Sequence, residues 1–193
     1  MTDNYRRFRN TLRYLLGAID GFDDAERVDY ADMPDLERWV LNRLAEIDAN
    51  IRKMTEEYDF HGIFTELHTL CNSDLSALYF EIRKDTLYCD NPDANARRAC
   101  RTVMDEVFNR LTAWLAPILC FTAEEAWQSR HADINQSVHL RSYDQVPAEW
   151  HNDAIAAKWA QIRKARQVVM SALEKARNDG AIGASLYFDE FFR

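Results

Sequence analysis

Residues 91–117 read NPDANARRACRTVMDEVFNRLTAWLAP, and this stretch decides the fold class. Asn91-Pro92-Asp93 has the chemistry of a helix start: a capping side chain, a proline whose missing N–H costs nothing in the first turn, then an acid. Cys100, Val103, Met104, Val107, Phe108, Leu111, Trp114 and Leu115 follow at three- and four-residue steps, so they line one face of a long helix. Pro117 ends or kinks it.

The same pattern extends in both directions. Upstream, Phe8, Leu12, Leu15 and Leu16 predict a first helix that stops at Gly17. A second helix starts at Pro34 and carries Leu36, Trp39, Val40, Leu44, Ile47 and Ile51 towards Tyr58. Asp59 caps a third, with Phe60, Ile63, Phe64, Leu67, Leu70, Cys71, Leu75, Leu78, Tyr79 and Ile82 as its stripe, followed by a bend and one further turn through Lys84–Tyr88. Downstream, Thr122-Ala-Glu-Glu125 has the form of a capping box, which places the next helix at Ala123 to about Arg130. Long helices with short connections and little Gly or Pro predict an all-α antiparallel bundle over residues 1–130.

Residues 131–193 form a C-terminal extension with a different texture. Ser137–Tyr143 alternates like a short strand. A basic helix over about Asp153–Asn178 packs through Trp159, Ile162, Val169 and Leu173 and stops at Gly180. The aromatic tail 182–192 reads as a second strand, or as a cut through a larger structure.

Charge narrows the function. The chain of 193 residues carries a net −8, which argues against sequence-blind binding of nucleic acid. The charge is uneven, however. Residues 20–37 hold eight acids against Arg27, while residues 158–177 hold six bases against Glu174. Local basic surface is what a polyanion senses within a Debye length of about 10 Å. Cys71, Cys89, Cys100 and Cys120 lack CxxC spacing and read as buried, reduced thiols, and His61 and His68 are seven apart, the wrong spacing for a metal pair on a helix. With no signal peptide and no apolar run near 18 residues, a soluble cytoplasmic protein is expected. A Gly-rich phosphate loop and a nucleophile–base arrangement are both missing, so composition and spacing alone stop at a helical binding module.

Five segments in order go further. YRRFRNTLRYLLGAIDGFD (5–23), YDFHGIFTELHTLCNSDLSALYFEIRKDTLYCD (58–90), RLTAWLAPILCFTAEEAWQ (110–128), SVHL (137–140) and IGASL (182–186) together resemble the anticodon-stem region of bacterial isoleucyl-tRNA synthetases. The resemblance covers nearly the whole chain. It departs at Thr86, where the family usually has arginine, and after Leu186. It implies a parent ligase that uses ATP and Mg to join isoleucine to its tRNA through a Rossmann-type domain bearing HIGH and KMSKS signatures. Neither signature, nor the family's zinc module, lies in these residues. The resemblance therefore implies a piece with no catalytic residue and no cofactor of its own, whose partners are isoleucine tRNA and the catalytic domain of the same chain.

Under that reading the tRNA-binding candidates are Arg6, Arg9, Asn10, Arg13 and Tyr14 on the first helix, Lys84 and Tyr88 at the turn, Arg97, Arg98 and Arg101, and Arg163, Lys164 and Arg166. Arg6, Arg9 and Arg13 follow helical spacing along one basic edge. Arg9, Asn10 and Arg13 face either RNA or the junction with the catalytic domain. The 97–101 cluster fits a solvated helix face as well as RNA. The five tryptophans fall largely on apolar stripes and read as core. A rival reading is a helical scaffold that binds protein through its acidic 20–37 segment.

Overall fold

The computed structural model describes residues 2–131 and 135–180, and among them every regular element is helical. The helices are α1 (Thr2–Ala18), α2 (Asp35–Glu56), α3 (Phe60–Thr69), a π-helical segment (Leu70–Phe80), α4 (Glu81–Cys89), α5 (Asn95–Leu115), α6 (Cys120–Arg130) and α7 (Asp153–Asn178). The chain divides into two compact units, one through Asn152 and one from Asp153.

In the first unit α5 is the axis. Every residue of its predicted stripe is buried, and so are Arg101, Thr102, Asp105, Arg110 and Thr112 on its other faces. A helix apolar on one face and buried all round must satisfy polar side chains inside the fold. It packs against α1, α2, α4 and α6. The α2 stripe is buried as predicted. Behind it lies a buried ion pair: Arg83 of α4 donates from Nε and Nη2 to the two carboxylate oxygens of Glu37, both at 2.6 Å, and the Tyr79 hydroxyl adds a 3.3 Å bond. Glu37 is fully buried, so this bidentate geometry is what makes its charge tolerable there.

Several boundaries differ from the sequence reading, each for a local reason. The first helix runs past Gly17, and the left-handed residue that turns the chain is Gly21, at φ +66°. Asn91 caps nothing in α5; it closes a separate turn by accepting from Asp93 N–H at 3.0 Å, and α5 begins at Asn95. Asp59 does cap α3, accepting from Gly62 N–H at 2.9 Å. No bend separates the third helix from Lys84–Tyr88: the chain stays helical to Cys89, but it widens to π geometry midway, where the Ser76 hydroxyl donates to the carbonyl of Cys71 five residues back, at 2.7 Å. The widening re-aims the stripe beyond it, so Phe80 is buried while Ile82 is exposed; Phe60, at the start of α3, is exposed as well. The capping box is not used as one. The helix starts at Cys120, and Thr122 and Glu125 turn to α1 instead.

The predicted strand over Ser137–Tyr143 is a 3-10 turn, Val138–Leu140. Val138 is buried and Leu140 is 80 % exposed, so the two do not share a face. The Glu124 carboxylate accepts from Val138 N–H (2.9 Å) and the Ser137 hydroxyl (3.0 Å), which supplies the partners a neighbouring strand would have supplied. The predicted second strand lies outside the described residues. Within the first unit, arginines fasten the rest of this segment to α2, α5 and α6. Arg52 donates to the Asp144 carbonyl at 2.8 Å, Arg141 stacks over Trp127 at 4.2 Å and Arg110 over Trp150 at 4.4 Å. Cys71 and Cys100 are buried, and burial pushes both thiols up to about 12, whereas Cys89 and Cys120 are exposed, against expectation. All five tryptophans are buried.

In the second unit α7 carries Ile155 and Trp159 buried near its start. Ile162 (38 % exposed) and Val169 (55 %) depart from the predicted packing stripe. Gly180, at φ +71°, follows the helix end.

Candidate nucleic-acid interface

The candidate arginines fall into two physical states. Those of α5 are committed to the fold. Arg101, 6 % exposed, donates from Nε to the Ala18 carbonyl (3.2 Å) and from Nη2 to the Asp20 carbonyl (2.6 Å), and its Nη1 pairs with Glu26. Arg98 donates to the carbonyls of Ala25 (2.8 Å) and Glu26 (3.2 Å). Arg97 ties α5 to α4 through the Leu87 carbonyl at 3.1 Å. Arg101 is buried with its donors spent on protein oxygens, which withdraws it from a surface that phosphate could reach, whereas Arg98 is half-buried and its contact with the Ala25 carbonyl is exposed.

Their partners are in the acidic segment. Arg27 of that segment pairs with Asp24, Asp105 and Glu106, and Val28 N–H donates to the Thr102 hydroxyl at 3.2 Å. Asp105, 1 % exposed, also receives Arg130 at 2.6 Å. The loop is thus fastened along α5 through Glu26, Arg27 and Val28, while Asp20, Asp23, Asp24, Asp29 and Asp32 stay exposed. Helical periodicity within one segment could not show this, because the partners lie more than 70 positions apart in the chain. The usable signal was the complementarity of the two charge runs.

The α1 side chains are in the other state. Arg6, Arg7 and Arg13 are exposed; Arg6 meets Asp3 at 3.8 Å, and Arg7 and Arg13 have no ion pair among the described residues. Arg9 is exposed but paired with Glu125 at 3.0 Å, which raises its pKa and braces α1 against α6 together with a 3.1 Å bond between the Tyr5 and Thr122 hydroxyls.

Two recesses flank this helix. One, of about 150 Å³, lies towards α6 and is lined by Arg9, Leu12, Arg13, Leu16, Thr122 and Glu125. The other, of about 310 Å³, lies towards the π segment and is lined by Arg7, Asn10, Thr11, Tyr14, Ser76 and Phe80. Arg9 and Arg13, which share the edge read from spacing, border one recess, while their neighbours Asn10 and Tyr14 border the other. Arg7, absent from the candidate set, belongs to the second recess; its signal was the three- and seven-residue spacing to Asn10 and Tyr14.

Tyr14 stacks on Phe80 with ring centres 4.3 Å apart, and burial is the main cause of its raised pKa, helped by the neighbouring Tyr88 phenol. Tyr88 is exposed, and Lys84 is exposed and held by Glu81 at 3.0 Å, an interaction that raises its pKa. In the second unit Lys164 is exposed, and Arg163 and Arg166 are half-buried.

Residues 37–189 match the model of the family described as the anticodon-binding domain of tRNA ligase. The chain belongs to that anticodon-binding family. Its relatives include the isoleucine–tRNA ligases of Gluconobacter oxydans (50 % identical over 182 residues, 94 % of this chain), Caulobacter vibrioides (50 % over 186 residues, 96 %) and Agrobacterium fabrum (50 % over 184 residues, 95 %). The chain spans 19 % of the length of each. The family match opens at Glu37, the buried partner of Arg83, and covers the larger part of each unit of this anticodon-binding domain, whereas α1 and the acidic loop precede it. Among the described residues no helix is long and apolar enough to cross a membrane, and no group of three His, Cys, Asp or Glu is arranged to hold a metal ion.

Proposed function

We propose that this chain grips the anticodon stem-loop of an isoleucine tRNA and holds it in position for a catalytic domain elsewhere in a cytoplasmic, ATP- and Mg-dependent isoleucine–tRNA ligase. The observation that carries this reading is the likeness of nearly the whole chain to isoleucine–tRNA ligases, together with its membership of the anticodon-binding family. In this reading the helices through Arg130 form an antiparallel bundle with residues 135–152 latched onto it. Arg6, Arg13 and Lys164 present cations for phosphates, which position an RNA without reading it. Arg9 and Glu125 stiffen α1 against α6. Membership of the anticodon-binding family favours this reading over a protein-binding scaffold, and Glu26 of the acidic segment is engaged with Arg101 of α5.

Titration of isoleucine tRNA into the chain at about 50 and 200 mM salt tests the proposal. Binding that weakens steeply with salt and is poorer for a non-cognate tRNA is the expected result. Absent binding, or affinity indifferent to both salt and tRNA identity, overturns it. Isoleucine-dependent ATP–pyrophosphate exchange by this chain alone would contradict the placement of catalysis elsewhere.

A further inference from the structure

The recess between α1 and the π segment has a donor and acceptor pattern that matches one chemical unit. Three side chains bring hydrogen-bond donors to it. Arg7 is exposed and has no ion pair among the described residues, Asn10 offers an exposed amide, and the half-buried Tyr14 phenol lines the recess with its hydroxyl beside the Tyr88 phenol. The carboxylate nearest in effect to Tyr14, Glu81, is occupied by Lys84. Ser76 differs from these three. Its proton is committed to the Cys71 carbonyl at 2.7 Å, so the oxygen it shows is an acceptor. The wide π turn sets this commitment, because it brings a carbonyl five residues back within reach.

We propose that this recess takes one ribose–phosphate unit of the tRNA backbone, with Arg7, Asn10 and Tyr14 donating to the phosphate and Ser76 accepting from the 2′-hydroxyl. The proposal rests on the RNA-binding reading above and deepens it. Burial keeps the Tyr14 phenol protonated, so it acts only as a donor towards the anion. The stack on Phe80 fixes its direction before RNA arrives. The 2′-hydroxyl is the group that separates RNA from DNA, and Ser76 is where this chain reads it.

The test compares tRNA binding by the wild-type chain, Arg7→Gln, Arg7→Lys, Tyr14→Phe and Ser76→Ala across a salt series, with an RNA stem-loop and its DNA counterpart. Losing one phosphate contact lowers the slope of log affinity against log salt by about 0.7–0.9 in Arg7→Gln, and Arg7→Lys retains it. Tyr14→Phe keeps the ring stack and loses a neutral donor, so affinity falls about three- to tenfold at every salt with the slope unchanged. Ser76→Ala narrows the preference for RNA over DNA. Arg7 is exposed and Tyr14→Phe preserves shape, so melting curves stay at the wild-type midpoint in both. If the wild-type chain binds tRNA with a salt dependence and Arg7→Gln and Tyr14→Phe bind identically to it, the recess faces another part of the ligase and the proposal fails. A wild-type chain that does not bind RNA defeats the underlying reading instead.

Discussion

Two helices of this molecule carry arginine clusters, and they use them in opposite ways. On α5, Arg98 and Arg101 close over the carbonyls and carboxylate of residues 18–26, and Arg110 stacks on Trp150. On α1, Arg6, Arg7 and Arg13 stand exposed. Both clusters look alike as strings of letters. What separates them is the neighbourhood each helix acquires on folding. The α5 helix is surrounded, so its cations must find partners inside, and the acidic run supplies them. The α1 helix lies at the edge, with Asp3 and Glu125 as its ion-pair acids. A cluster is available to a polyanion only when the fold has not already spent it.

The largest effect that could break this contrast lies at Asp105, buried on α5 between Arg27 and Arg130. Asp105→Asn leaves two guanidiniums without their shared charge and is expected to lower unfolding free energy by about 3 kcal/mol in urea melts. Next is Arg101→Gln. Its bonds reach two carbonyls and a carboxylate that is partly solvated, so about 2 kcal/mol is expected, while tRNA affinity measured under folding conditions stays within about twofold. Arg98→Ala removes two carbonyl contacts and is expected to cost about 1 kcal/mol. If Arg98→Ala instead left stability intact and weakened tRNA binding, the division between the two helices would be wrong at that residue.

The smallest effect concerns the end of α6. Burial, followed by the charges of Arg130 and Arg141 and opposed by Asp105, lowers the His131 pKa below its usual value. The unfolded chain then takes up a proton first as pH falls. Stability is full above the ordinary histidine range and declines as pH drops through it towards the folded value. The urea midpoint should therefore fall between pH 7.5 and 5.5, and fall less in His131→Gln.

The fold was legible wherever local physics decides. The α2 and α5 stripes, the Asp59 cap and the stop at Pro117 each depend on residues within a few positions. It was illegible where a distant partner decides. Thr122 and Glu125 satisfy the local rule for a capping box, yet Tyr5 and Arg9 take them for tertiary contacts. Two apolar residues around His139 were too short a pattern to distinguish a strand from a turn held by Glu124. The π widening left no periodic trace until Phe80 and Ile82 exchanged burial. The candidate site was half visible for the same reason. Arginine spacing identified α1, but only the packed neighbours show that Arg101 is internal and that Arg7 borders a recess.

The measurement that bears most directly on the contrast is the salt dependence of tRNA binding by the double variant Arg7→Gln, Arg13→Gln. A slope lower than wild type by about 1.4–1.8, with an unchanged urea midpoint, is the result expected if both arginines meet phosphates. A wild-type slope in the double variant would contradict the assignment of α1 as the RNA-facing helix.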